Sequence, residues 1–268
     1  MSKYRNDLPQ LKGDLFLTDG GLETFLLFQQ GLEIPEFAAF PLLETDAGRE
    51  ELTCYAESHI RIALDNGLGF IMETATWRAS SDWATRLGYD RARLMQVNRD
   101  AVRLMAALRD RHETVDTKLV ISGNIGPRGD GYKSGTTMTR DEAAAYHRDQ
   151  IHAFDEAGAD LVTAMTMTHV GEAAGIALAA KAANIPSVIS FTTETNGRIP
   201  TDQTLGEAIE AVDALTDSAP AYYMVNCAHP THFDDALRTD AAWLKRVRGI
   251  RANASTQSHE ELDNSTEL

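Results

Sequence analysis

The stretch YYMVNCAHPTHF, residues 222–233, sets a cysteine directly after an apolar run and places two histidines shortly beyond it. Cys227, His229 and His232 form a C-x-H-x-x-H spacing of donors that zinc accepts. A single loop seldom arranges three ligands tetrahedrally. The same residues also read as a turn into a helix, with Pro230 fixing the turn. A buried cysteine is most often a small apolar residue, but one that follows an asparagine at the end of an apolar run is placed where a metal or a substrate reaches it. Other polar groups close similar runs: Asp19 with Gly20 and Gly21, Glu73 with Thr74 and Thr76, Asn124, Met165 with Thr166, and Asn226 beside Cys227. Carboxylates, hydroxyls and amides suit hydrogen bonding to a small polar molecule. Glu73 is either such a group or the partner of an arginine such as Arg78. Lys118 precedes its apolar run rather than ending it, which argues against Schiff-base chemistry.

The elements that must position these residues follow a regular rhythm. Short apolar runs alternate with longer amphipathic stretches, the pattern of βαβ units and a parallel sheet. The runs are LFLT, GFIMETAT, KLVISGNIGP, ADLVTAMTMT, PSVISFTT, AYYMVNC and GIRANAS. Between them the spacing predicts helices over about 50–66, 91–109, 139–158, 170–184 and 205–215, and one containing Trp243, Leu244 and Val247. Thr139 and Glu142 form a capping box. Seven strands, with no G-x-G-x-x-G at a strand-to-helix turn, favour a TIM-type (β/α)8 barrel lacking its last strand-helix unit over an open doubly wound sheet. The expectation is one domain over residues 1–268, with 1–14 as an N-terminal extension and 255–268 as a flexible tail. In a parallel barrel the strand ends named above share one mouth.

In this order the motifs LTDGGLET, ETATWRAS, SGNIGPRGDGY, EAGADLVTAMT, ISFT and VNC resemble the homocysteine S-methyltransferase family over nearly the whole chain. The resemblance implies a zinc-dependent barrel enzyme that moves a methyl group from a sulfonium, ammonium or folate donor to the thiolate of homocysteine, giving methionine. It implies zinc held by three cysteines, of which Cys227 matches the first; the adjacent pair, in a Gly-Gly-Cys-Cys segment, has no counterpart here. Weak or absent zinc binding is therefore expected of these 268 residues. The resemblance also assigns Asp19 to the homocysteine amino group, while Met165 stands where the family commonly has a glutamate. Met165 is a poor acceptor for an ammonium, which leaves room for another anchor such as Glu73. Gly20, Thr74, Asn124 and Asn226 complete the expected substrate-binding set.

Two other classes remain open from the residues. A divalent-metal lyase would use Asp19, His229 and His232, and its activity would survive loss of the thiol. A non-catalytic incomplete barrel would need a partner chain or oligomerise through its open edge. Composition narrows the partners. With 25 basic and 40 acidic residues the formal charge is −15, which disfavours nucleic acid and anionic membrane surfaces. The opening residues lack a signal-peptide core, no apolar run reaches the ~18 residues of a membrane span, and two cysteines fit a reducing compartment; a cytoplasmic protein is expected.

Overall fold

The computed structural model describes residues 2–132, 135 and 137–263. Among them are seven strands: β1 (Phe16–Thr18), β2 (Gly69–Glu73), β3 (Leu119–Ile125), β4 (Leu161–Met167), β5 (Ser187–Phe191), β6 (Tyr222–Asn226) and β7 (Val247–Arg251). They form one sheet in the order β1-β2-β3-β4-β5-β6-β7. The helices are α1 (Leu22–Thr24), α2 (Asp46–Asn66), α3 (Ser81–Arg86), α4 (Arg91–His112), α5 (Arg140–Ala157), α6 (Val170–Ala182), α7 (Leu205–Thr216), α8 (Pro230–Leu237) and α9 (His259–Asp263). Sequential strands paired in parallel, as in β1/β2, β2/β3, β5/β6 and β6/β7, require a crossover at every step, and the helices supply it. This is the arrangement of an incomplete TIM-type α/β barrel. No described helix is long and apolar enough to cross a membrane.

The backbone separates into two compact units, one running through Ile125 together with Asp149–Val162, the other comprising Gly126–Arg148 and the chain from Thr163 onward. In the first, β2 and β3 are buried along their whole length, which explains their nearly continuous apolar runs. Gly123 interrupts β3 because the ring of Phe154 occupies the space a Cβ would need. Gly123→Ala is expected to cost about 1–3 kcal/mol by overpacking, read as a lowered midpoint in chemical denaturation.

The first unit also anchors the N-terminal extension. Asp160, with 0 % exposure, accepts the backbone N–H groups of Lys3 and Tyr4 on Oδ1, at 2.7 and 2.8 Å. Its Oδ2 accepts from the Arg109 guanidinium at 2.7 Å and the Ile121 N–H at 2.9 Å. Arg5 adds bonds to Asp155 and to the Ala159 carbonyl.

In the second unit β5 and β6 are likewise buried, whereas β7, last in the sheet order, alternates half-buried and exposed positions. The Thr139 capping box forms as expected, with Glu142 accepting from the Thr139 N–H and hydroxyl. One expectation is corrected here. The residues around Trp243 make a single 3-10 turn, Ala242–Arg246, and Val247 already begins β7; α8 has ended at Leu237, leaving too few residues for a further helix. Within the stretch expected to be a tail lies α9, where His259 is 4 % exposed and Ser258 and Glu261 cap the helix reciprocally. Residues 264–268 of that tail lie outside the described residues.

Candidate functional site

In the first unit the polar strand ends surround a small pocket. It is lined by Asp19, Leu22, Leu52, Tyr55, Ala56, Phe70, Met72, Glu73, Ala75 and Met105. Asp19 follows β1 and Glu73 closes β2, strands paired in register with Thr18 opposite Ile71, so both carboxylates reach the same space. They are 9 % and 8 % exposed. The surrounding wall is apolar, which raises the cost of any unbalanced charge and the value of a bound cation. Tyr55 donates its hydroxyl proton to Asp19 Oδ2 at 3.3 Å, and its ring packs against Phe25 and His59 at centroid distances of 5.2 and 4.5 Å. Tyr55 is carried on α2 rather than at a strand end, so the strand-end pattern does not point to it. A Cβ on Gly20 would stand at ordinary contact distance from Tyr55 and His59, so sterics there do not demand glycine.

Thr74 and Asn124 differ in what they leave available. The Thr74 hydroxyl accepts the Asn124 N–H at 2.9 Å and meets the Thr76 hydroxyl at 2.6 Å, while Thr76 donates to the Asn124 carbonyl at 2.7 Å. Thr74 therefore splices β2 to β3. The Asn124 side-chain oxygen, in contrast, is buried with no hydrogen-bond partner among the described residues. Arg78 lies with its guanidinium 4.0 Å from the Trp83 ring centroid and donates to the Glu36 carbonyl. Cys54 is exposed on α2.

In the second unit Cys227 follows β6 in a left-handed conformation, φ 54°, as does Thr166 near the end of β4, φ 62°. Such backbone is strained for residues with a Cβ, and a network holds it. Asn226 Oδ1 accepts from the Thr166 N–H at 2.9 Å and the Ser190 hydroxyl at 2.6 Å. Its Nδ2 donates to Thr166 Oγ1 at 2.8 Å and to Cys227 Sγ at 3.2 Å. An amide offers two donors and two acceptor positions, and all four are used. Asn226, expected among substrate ligands, ties β4, β5 and β6 together and bonds the thiol. Met165 is buried within β4.

The histidines have local tasks. His229 is the N-cap of α8, its Nδ1 accepting from the Thr231 N–H at 3.2 Å, and His232 Nε2 bonds the Thr256 carbonyl at 3.1 Å. No group of three or more His, Cys, Asp or Glu placed to hold a metal ion occurs among the described residues. Cys227 is thus a single soft donor without companions among the described residues, which on their own do not make up a zinc site.

A histidine pair that sequence reasoning passed over is buried elsewhere in this unit. Glu172 Oε1 receives His147 Nε2 at 2.9 Å and the Arg128 N–H at 2.7 Å, and its Oε2 lies 3.3 Å from His169 Nε2. Burial pushes the Glu172 carboxyl up, but the bonds from His147, His169 and Arg128 outweigh it and bring the pKa down to about 2.

No match was found among curated proteins. Among solved structures the chain is similar to the Escherichia coli homocysteine methyltransferase MmuM. The oxidized form is 20 % identical, with 88 % of this chain and 81 % of that chain covered at a TM-score of 0.71. The metallated form is 18 % identical, with 91 % and 94 % covered at 0.70. At such identity the likeness concerns the fold, which agrees with the strand order above. The model of the family described as homocysteine S-methyltransferase matches residues 16–267, taking in every strand and both sets of strand-end residues, and the chain accordingly belongs to the homocysteine S-methyltransferase family.

Proposed function

We propose that this protein binds homocysteine as the acceptor of a methyl group carried on a sulfonium, ammonium or folate donor, with Asp19 and Glu73 holding the acceptor's ammonium. The observation that carries this reading is the pair of buried carboxylates lining one small apolar pocket at the ends of β1 and β2. Carboxylates in such surroundings favour a cation, and charge-assisted hydrogen bonds to an ammonium supply both energy and direction. Tyr55 fixes Asp19 in place, and the side-chain oxygen of Asn124 is a further acceptor at the end of the neighbouring strand. In the transfer itself the acceptor, as a thiolate that has given its proton to solvent, forms the new C–S bond while the methyl carbon's bond to a positively charged sulfur or nitrogen breaks, in a folate a protonated nitrogen; that atom keeps the bonding electron pair and leaves neutral. Cys227 stays in this reading as a soft-metal ligand by family resemblance. Because the described residues supply it no companions, no step is assigned to a metal.

Calorimetric titration with homocysteine tests the pocket directly. Asp19→Asn is expected to weaken binding about 10–100-fold, the worth of a charge-assisted hydrogen bond in a buried site. The analogue 4-mercaptobutyrate keeps thiol and carboxylate but lacks the ammonium, and should lose a similar factor against the unaltered protein. Equal affinity for both ligands would remove the ammonium from the account.

A further inference from the structure

We infer that His259 is a positioning residue for the Cys227 thiol, acting through the Cys227 backbone carbonyl. The inference rests on the role proposed above for the Cys227 sulfur as a soft-metal ligand and adds a residue 32 positions further along the chain. His259 opens α9, is 4 % exposed, and places Nε2 2.9 Å from the Cys227 carbonyl oxygen and 3.2 Å from Thr192 Oγ1. A carbonyl only accepts, so Nε2 donates. The other nitrogen, Nδ1, lies 3.0 Å from Glu194 Oε1, and the Tyr132 ring covers the imidazole at a centroid distance of 4.3 Å. The ring is therefore fixed on both nitrogens and one face.

What this fixes is the peptide after Cys227. The Cys227 N–H still continues the β6/β7 ladder, donating to the Arg251 carbonyl at 3.1 Å. Cys227 itself holds a left-handed φ of 54°, and its part-buried carbonyl takes its donor from outside the ladder. His259 provides it. With that bond in place the strained turn persists, and the sulfur stays 3.2 Å from the Asn226 amide. Without it the turn relaxes toward ordinary backbone angles and the thiol swings off its donor.

Two substitutions separate this role from simple docking of α9. Glutamine presents its amide nitrogen near the position of Nε2 and retains the bond to Cys227; asparagine presents its nitrogen near Nδ1 and retains only the contact with Glu194. The readout is the rate of iodoacetamide alkylation of Cys227 in the full chain carrying Cys54→Ser, with far-UV circular dichroism confirming the fold of each variant. His259→Asn and His259→Ala are expected to alkylate about fivefold faster, the effect of one lost hydrogen bond, with His259→Gln within about twofold of the parent. If Asn and Gln behave alike, or if Ala leaves the rate unchanged, the bond to the Cys227 carbonyl does not position the thiol and the inference fails. Alkylation requires neither homocysteine nor methyl transfer, so this outcome is independent of the binding test above.

Discussion

Asp160→Ala is expected to lower the unfolding free energy by about 3–5 kcal/mol, the cost of removing one partner from a buried, hydrogen-bonded charge pair. The carboxylate is wholly buried and accepts four hydrogen bonds, two of them from the Lys3 and Tyr4 amides and one from the Ile121 amide next to the start of β3. The fourth comes from Arg109, itself buried, at 2.7 Å. Deletion strands the guanidinium and three backbone donors together, so the loss exceeds that of a single hydrogen bond. Such a loss approaches the whole margin of many domains. Urea unfolding followed by circular dichroism measures it, and Asp155→Ala serves as a comparison because its partner, Arg5, is held independently by the Ala159 carbonyl. A change below about 1 kcal/mol at Asp160 would show that this buried carboxylate and its four hydrogen bonds add little to the stability of the fold.

Glu172 sets the second large effect, a dependence of stability on pH. Its carboxyl titrates near 2 in the folded protein against 4.5 for the free group. A depressed folded pKa stabilises the native state above the unfolded value and loses that stabilisation as pH falls through the folded one. The contribution is about 3 kcal/mol, complete above roughly pH 4.5 and fading toward pH 2. Other carboxylates titrate in the same window, including Glu113, which Lys3 and Tyr4 hold low against its burial. The informative quantity is therefore the stability gap between the parent and Glu172→Gln. That gap should narrow by about 3 kcal/mol between pH 6 and pH 2. A gap independent of pH would mean that His147, His169 and the Arg128 amide do not favour the ionised carboxylate.

Glu172 and Asp160 share a feature that separates them from the residues found by pattern. Glu172 meets His169, three residues before it, but also His147, 25 residues away, and Asp160 follows Gly158 and Ala159 while its partners lie at positions 3, 4, 109 and 121. Those distant partners leave no local trace in spacing or hydrophobic period. Cys227, Asp19, Glu73 and Asn124 did leave one. Each ends an apolar run, and in a parallel sheet buried on both faces such runs stop where the strand stops.

The amino-acid order by itself determined the strands, their parallel succession and the polar residues at their ends, because apolar periodicity and capping act over a few residues. It also determined the family, through motifs carried at those same strand ends. Which strand-end residues keep a free hydrogen-bonding atom was decided only in three dimensions. Asn226 spends its whole amide on Thr166, Ser190 and Cys227, whereas Asn124 keeps its side-chain oxygen unbonded among the described residues. The same holds for His259, in a segment with no apolar period, whose burial against Cys227, Thr192 and Glu194 depends on contacts 32 to 67 residues apart. Satisfying buried donors and acceptors is a property of the packed chain, and only the tertiary structure brings those partners together.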